Sequence, residues 1–355
     1  VSTTQSQLTP DEPGLVRAGE ELPLAKLKDF IHAHAPEVGT INHVNQFPSG
    51  FSNLTYGLQT NRGEFILRRP PFGANIKSAH DMGREFQVLT LLKPHYSRIP
   101  QPMVLCQDES VVGAPFYVMT RLSGVILRAH HTNVNLAPST LRTLSENLVD
   151  NLVQLHSIDI IKSGLVALGK PDGYVQRQVA GWIARYEKAA TDAIGDMNAV
   201  AEWLPKNLPL TQAPGFLHND YKYDNVVLDT HNLTNIIGVL DWEMATVGDP
   251  LMDVGAALAY WCEPTDAPIT RLFNLTWLPG NLSRQEFIDR YARKSGRDVS
   301  RISFYYAFGL FKNAVIAQQI YARWKAGHTR DPRFGQLIHA VKSLAKQAAE
   351  AIEKN

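Results

Sequence analysis

The sequence predicts an α+β protein: a small antiparallel β lobe with one packed helix, followed by a larger helical lobe. Three observations carry this. Short apolar runs of strand length crowd the first third of the chain. The apolar spacing turns helical after Gly124. The 355 residues are enough for two lobes at ~100–200 residues per domain. The expected division is a flexible tail over residues 1–20, a β lobe over 21–123 and a helical lobe over 124–355.

Residues 1–20 are polar, with Pro10 and Pro13, and read as a loose tail. Leu24–Ala33 reads as a short helix. Ile41–Phe47 and Leu54–Gln59 alternate as strands, Asn61-Arg62-Gly63 reads as a hairpin turn, and Glu64–Arg69 as a third strand. Pro70-Pro71 ends it, because proline cannot continue a ladder. Ser78–Leu92 follows as a helix with Met82, Phe86, Leu89 and Leu92 on one face. Met103–Cys106 and Phe116–Thr120 complete the order β-β-β-α-β-β.

Beyond Gly124, Ser139 is placed to cap a helix reaching His156, with Leu141, Leu144, Leu148, Leu152 and Leu155 spaced three and four apart. A second helix carries Gln178, Trp182 and Tyr186 on one face. Two short apolar runs interrupt the helices between Phe216 and Leu240. Helices then resume from Leu251, including Ile302–Lys325 and Phe334–Glu353.

Composition excludes several classes. Hydrophobic residues at 44% and charged residues at 19% suit a soluble globular chain. No run approaches the ~18 apolar residues of a membrane span, so no membrane partner is expected. The first residues have neither a basic nor an apolar secretory region. Cys106 and Cys262 lack metal spacing and cannot form a disulfide scaffold, so a reducing cytoplasm is expected. From Arg271 to the end, 15 basic residues face 6 acidic ones, while the rest of the chain has 20 against 28. That imbalance fits either a solvated basic helical end or a surface for an anionic ligand. Without a dense basic run, no nucleic-acid partner is expected. Nothing in the sequence fixes the oligomeric state.

The chain has no G-x-G-x-x-G, P-loop, H-E-x-x-H, C-x-x-C or G-x-S-x-G motif. His32/His34 and His130/His131 lack carboxylate partners nearby and read as surface histidines. Two polar segments stand beside short apolar runs. One is His218-Asn219-Asp220-Tyr221-Lys222-Tyr223-Asp224-Asn225, and the other is Asp241-Trp242-Glu243. The first has D-x-x-x-x-N spacing, and Asp241 follows Asp220 by 21 residues. Phosphoryl transfer needs such a set: one carboxylate to accept a hydroxyl proton, with an amide oxygen and a second carboxylate to hold Mg²⁺. Alone, D-x-x-x-x-N is weak, since Asp and Asn are common in turns.

The upstream segments strengthen it. Phe65-Ile66-Leu67-Arg68 has the form of a kinase V-A-I-K strand, with Arg68 at the lysine position. Glu85 lies 17 residues on, where its ion-pair partner belongs. Ser49-Gly50-Phe51-Ser52-Asn53 falls where a loop covering phosphates belongs, and Met119 to Leu122, including Arg121, falls where an adenine-binding hinge belongs. On these motifs the chain resembles the aminoglycoside/choline phosphotransferase family, which has the protein-kinase-like fold. Asp241-Trp242-Glu243 is similar to the family's D-W-E, and Gly248-Asp249-Pro250-Leu251-Met252-Asp253 to its G-D-P-x-x-D.

Within that family the chain resembles the kinase-like domain fused to acyl-CoA dehydrogenases ten and eleven, and its stand-alone bacterial relatives. Gly50-Phe51-Ser52-Asn53-Leu54-Thr55-Tyr56, Leu67-Arg68-Arg69-Pro70, Leu155-His156-Ser157-Ile158-Asp159 and Gln178-x-x-x-Trp182 carry this likeness. The likeness spans Leu22 to Ala345 and leaves no segment for a flavin domain, so no dehydrogenase activity is expected.

The resemblance implies an ATP- and Mg²⁺-dependent transferase acting on a small-molecule alcohol. It implies that Asp220 is the catalytic base, and that Asn225 and Asp241 hold the metal. Gly50, Ser52, Asn53, Arg68, Glu85, Met119 and Arg121 would then serve the nucleotide. His218 would pack beneath the catalytic loop, Trp242 would be core, and Asp249 and Asp253 would brace the loop. The acceptor is expected to be anionic, such as a hydroxy acid or hydroxyacyl-CoA, and to pack against the region from Leu251 on, where Arg323 and Lys325 flank Trp324. Two departures, Asn219 for the family's glycine and Arg68 for the kinase lysine, motivate the alternative of a silent nucleotide-binding module. Protein kinase activity is not expected: seven residues between Asp241 and Asp249 leave no room for an activation loop, and Ala35-Pro36-Glu37 lies on the wrong side of the catalytic loop.

Overall fold

The computed structural model describes residues 10–48, 53–71, 81–129, 135–210, 212–329 and 331–353. The sequence readings at Gly50, Ser52, His130 and His131 lie outside these residues. Helix α1 (Leu24–His34) precedes strands β1 (Ile41–Gln46), β2 (Leu54–Thr60) and β3 (Gly63–Arg69). The β2–β3 hairpin turns at Gly63, whose φ of 130° excludes side chains with a Cβ. Helix α2 (Met82–Leu92), strand β4 (Pro102–Cys106), the one-turn helix α3 (Glu109–Val112) and strand β5 (Phe116–Thr120) follow. The sheet order is β1-β2-β3-β5-β4, antiparallel throughout.

Strand alternation divides the side chains between two cores. Phe65 and Leu67 of β3 and Phe116 and Val118 of β5 join α1 on one face. Ile66, Tyr117 and Met119 face α2 and continue into the core of the helical lobe. The same alternation separates two adjacent arginines. Arg68 turns toward α2, while Arg69 is buried on the opposite face and donates to the Val112 carbonyl at 2.6 Å.

Three local expectations shift. Helix α2 starts at Met82 because the Asp81 carboxylate caps it, accepting from the Arg84 N–H at 2.9 Å. The helix to His156 starts at Pro138, with Ala137 rather than Ser139 at the cap: proline fits the first turn, where its missing N–H has no partner to lose. Helix α3 was not anticipated, since four residues carry no helical period; Asp108 caps it.

A larger correction concerns the tail. Residues 10–20 are not loose. Gly14 pairs with Gln46 through backbone hydrogen bonds of 2.8 and 3.0 Å, extending the sheet edge. Asp11 holds Arg128 at 2.7 Å, and its carbonyl accepts from Arg121 at 2.9 Å.

The helical lobe comprises α4 (Pro138–His156), α5 (Tyr174–Ala189), α6 (Gly195–Trp203), α7 (Pro250–Tyr260), α8 (Arg284–Ser295), α9 (Ile302–Lys325) and α10 (Leu337–Glu353). The last helix begins three residues later than expected, after a 3₁₀ turn over Pro332–Gln336. Helix α9 is apolar on nearly all sides and forms the lobe's axis. It crosses α7 backbone to backbone at Gly309 and Gly255. A Cβ on Gly255 would come within 2.2 Å of the Tyr305 carbonyl oxygen. No described helix is long and apolar enough to cross a membrane.

Two small ribbons position the site. β6 (Gly215–Leu217) pairs with β9 (Thr246–Gly248), and β7 (Val226–Leu228) pairs with β8 (Ile236–Val239). The polar segment 218–225 joins β6 to β7, and the segment 240–245 joins β8 to β9. The ribbons therefore hold both segments side by side, tied by the Leu240 N–H donating to the Asn225 carbonyl at 2.8 Å.

Candidate active site

Asn53, Arg68, Glu85, Met119, Arg121, Asp220, Asn225 and Asp241 all line one cleft of about 510 Å³ between the sheet and the helical lobe. The sequence-predicted residues that are described thus come together.

Arg68 and Glu85 form the expected ion pair at 2.9 Å, with Glu85 2% exposed. The guanidinium also reaches Asp241 at 3.4 Å and Glu243 at 3.8 Å. Burial alone would lower the Arg68 pKa, but Glu85 and the other surrounding acids outweigh it and hold the group cationic. Its buried Nε has no hydrogen-bond partner among the described residues. A donor orphaned in this cleft suits an anion such as a phosphate oxygen. Asn53 reaches across the cleft, donating to Glu243 at 3.1 Å. Arg121 lines the cleft, but its guanidinium is spent on Glu64 at 2.8 Å, Glu12 at 3.0 Å and the Asp11 carbonyl. Its side chain therefore clamps the N-terminal segment onto the lobe.

The Asp220 carboxylate accepts from Lys222 at 2.8 and 2.9 Å and from the Asn225 amide at 2.8 Å. Burial pushes its pKa up, but the Lys222 ammonium more than offsets this and leaves Asp220 below the usual carboxylate range. Lys222 in turn lies 4.4 Å from the center of the Tyr260 ring. The Asn225 amide nitrogen is committed to Asp220, so Oδ1 is the atom left to meet a cation. Glu243 stands beside Asp241; burial first, then the Asp241 charge, pushes it up to about 8. Crowded carboxylates with a free amide oxygen suit a hard divalent cation. Among the described residues no cluster of three His, Cys, Asp or Glu side chains could hold a metal. Asn225 Oδ1 and the Asp241 carboxylate are the cleft oxygens that could hold a Mg²⁺ ion.

The loop 218–225 is braced from below. Asp253, fully buried, accepts from the His218 N–H at 2.6 Å and the Asn219 N–H at 2.8 Å. His156 supports it at 3.2 Å and meets the Tyr291 hydroxyl at 2.8 Å, which accounts for the histidine in Leu155-His156-Ser157. His218 is buried. Its Nε2 faces the Leu240 carbonyl at 2.9 Å and its Nδ1 accepts from the Asp220 N–H at 3.2 Å, so the partners assign the Nε2–H tautomer. Trp242 is core, 1% exposed. Asp249 departs from expectation: it caps α7 and accepts from Tyr305 at 2.7 Å, with no hydrogen bond to the loop among the described residues.

Asn219 occupies the glycine position with φ 66°, the left-handed region that Asn tolerates better than most residues. Its amide donates to the Met244 carbonyl at 3.0 Å, and its own carbonyl accepts from Lys312 at 2.9 Å. Asn219→Ala and Asn219→Gly both lose the side-chain hydrogen bond to Met244, and the alanine variant is expected to be about 1–2 kcal/mol less stable than the glycine variant in urea unfolding, because only alanine meets the left-handed backbone penalty. An alanine variant as stable as the glycine variant would remove the backbone argument.

Sequence reasoning missed Lys222, Glu243, Met244, Tyr260 and Lys312 at the site. Lys222 had a signal in its position two residues after Asp220; Tyr260 and Lys312 arrive from distant helices and had none. The basic residues expected beside the acceptor, Arg323 and Lys325, do not line the cleft. Arg323 and Lys325 are exposed, Lys325 pairs with Asp192 at 3.1 Å, and Trp324 stacks on Tyr321.

A five-stranded antiparallel sheet over a helical lobe, with this cleft between them, defines a protein-kinase-like fold. The chain belongs to the phosphotransferase enzyme family, whose model matches residues 43–302. It is 34% identical over 314 residues to acyl-CoA dehydrogenase family member 11 of Gallus gallus, a match covering 86% of this chain and 40% of that protein. The chain thus spans less than half the length of that relative. A crystal structure from Ralstonia eutropha, classed with the aminoglycoside phosphotransferases, superposes with a TM-score of 0.81 at 26% identity, covering 94% of this chain and 99% of the other. A ternary complex of the aminoglycoside phosphotransferase APH(4)-Ia with AMP-PNP and hygromycin B superposes with a TM-score of 0.60 at 14% identity, covering 92% and 98%; it supports the fold alone.

Proposed function

We propose that the protein transfers the γ-phosphoryl group of ATP, as its Mg²⁺ complex, to the hydroxyl of a small anionic acceptor. The observation that carries this reading is the meeting of Asp220, Asn225, Asp241 and the Arg68–Glu85 pair in one cleft. Asp220 is ionised and accepts the hydroxyl proton, with Lys222 and Asn225 fixing its orientation. Asn225 and Asp241 supply oxygen to the metal. Arg68, steered by Glu85, binds phosphate, and its planar fork can do so bidentately. When bound, ATP would supply the γ-phosphoryl group and leave as ADP, and the metal would offset the phosphate charge. The two departures that suggest a silent module leave this arrangement assembled, because Asn219 adopts the left-handed backbone and Arg68 keeps its carboxylate partner.

The likeness to acyl-CoA dehydrogenase family members favours a hydroxylated acyl compound, free or carried on coenzyme A. Phosphorylation would turn its hydroxyl into a leaving group for later elimination. A panel of a 4-hydroxyacyl-CoA, the free hydroxy acid, choline and kanamycin at equal concentration tests this by ADP release. The acyl compounds are expected to turn over. Turnover of kanamycin or choline with none of the acyl compounds would sink the acceptor assignment.

A further inference from the structure

A second cavity, of about 260 Å³, adjoins the catalytic segments at Asn219 and Met244, and Met244 also lines the main cleft. The rest of its wall comes largely from α2, α5 and α9. Its charged lining residues are Arg84, Arg185 and Lys312, with no Asp or Glu among the described ones. Nothing in the net charge of the chain forces this local excess.

The three cations are not equivalent. Arg84 is committed to the carbonyls of Leu168 at 2.9 Å and Ala245 at 2.8 Å. Arg185 is exposed and lies 4.7 Å from the Trp182 ring center, without an ion-pair partner among the described residues. Lys312 is 5% exposed, donates to the Asn219 carbonyl and lies 5.8 Å from the same ring. It too has no ion-pair partner among the described residues, and its burial lowers its pKa despite the fields of Asp220 and Asp253. An ammonium buried without a counter-ion is costly. Gln178, Trp182 and Arg185 follow one another at helical spacing and share one face of α5 toward this space. The face thus offers an amide, a flat apolar surface and a guanidinium, with Lys312 opposite. A planar carboxylate matches that set.

We propose that this cavity binds the carboxylate end of the acceptor, with Arg185 and Lys312 as its charge partners and Trp182 as the platform. The proposal rests on the reading above of phosphoryl transfer to an anionic acceptor, and it names where and by what the anion is recognised. The cavity is smaller than the ~300–1,000 Å³ of sites for drug-sized ligands, which suits a short acid rather than a nucleotide-sized group. Lys312 also holds the Asn219 carbonyl, one residue before Asp220, so the anion site adjoins the base it serves.

Calorimetric titration of the full chain with 3-hydroxybutyrate, butyrate and 1,3-butanediol tests the proposal. Wild type is expected to bind both acids and to bind the diol about tenfold more weakly, the difference that one charge-assisted contact supplies. Arg185→Glu, at an exposed position, is expected to weaken both acids by about tenfold or more and leave the diol unchanged. Arg323→Glu makes the same charge change on the exposed end of α9 and is expected to leave all three ligands unchanged. Equal binding of the acids to Arg185→Glu and wild type, diol binding as tight as acid binding, or no acid binding to wild type would each overturn the subsite. ADP release from ATP with 3-hydroxybutyrate as the acceptor separates the two readings. If Arg185→Glu loses acid binding while wild type shows no acid-dependent ADP release, the subsite stands and transfer to that hydroxy acid falls. If both turn the acid over equally, the subsite falls alone.

Discussion

Asp220→Asn is expected to abolish most phosphoryl transfer, by ~10²-fold or more in kcat, the range for loss of a general base, while ATP binding and the fold remain. The carboxylate is the only part of the residue removed. Asparagine keeps the shape and one oxygen, which at the Oδ2 position can still accept from Lys222 at 2.9 Å and from the Asn225 amide at 2.8 Å. It cannot take up a proton from the acceptor hydroxyl. The backbone contacts of the loop, including the Asp253 clamp on His218 and Asn219, do not pass through the changed atoms. Single-turnover phosphorylation, nucleotide titration and thermal unfolding on one preparation separate chemistry from binding and stability. Wild-type turnover in the variant would remove Asp220 from the mechanism.

At Asp241 the expected effect is on the metal. Asp241→Asn should weaken Mg²⁺·ATP far more than metal-free ATP. An interaction with a charged partner is worth roughly 1.5–3 kcal/mol, or about 10- to 100-fold in affinity. Asparagine is a better test than alanine here because Asp241 has φ 65°, a conformation that Asn tolerates and alanine resists. The change also removes one of the carboxylates around Arg68, at 3.4 Å, and so frees the guanidinium for phosphate. Metal-free ATP should therefore bind at least as well as to wild type. Equal weakening with and without Mg²⁺ would assign Asp241 a folding role instead.

Much of the site was legible because its pieces are local. Asp220 and Asn225 share one short loop, and a D-x-x-x-x-N spacing there fixes their mutual reach. Asp241 opens the matching loop of the second ribbon. Arg68 and Glu85 lie 17 residues apart on β3 and α2, and strand alternation with helical phase suffices to aim them at each other. The brace at Asp253 was readable from G-D-P-x-x-D, but the same motif misdirected the reading of Asp249. Its carboxylate is taken up by the Leu251 N–H at the start of α7 and by the Tyr305 hydroxyl.

The sequence by itself determined the two-lobe α+β architecture and picked out the residues that meet in the cleft, because strand alternation, helical period and short-loop spacing act over a few residues. Only the tertiary structure decided where charge accumulates. The basic excess after Arg271 proved to be partly outward, as at Arg323 and Lys325. The cavity beside Asn219 draws its cations from α2, α5 and α9, and only Lys312 comes from that stretch. Tertiary structure alone likewise turned residues 10–20 from a polar tail into an edge segment held by Gln46, Arg121 and Arg128. The physical reason is common to both. A net charge or a polar composition is a sum along the chain, whereas a field or an ion pair depends on distance in space. Those distances are set by the packing of helices far apart in sequence.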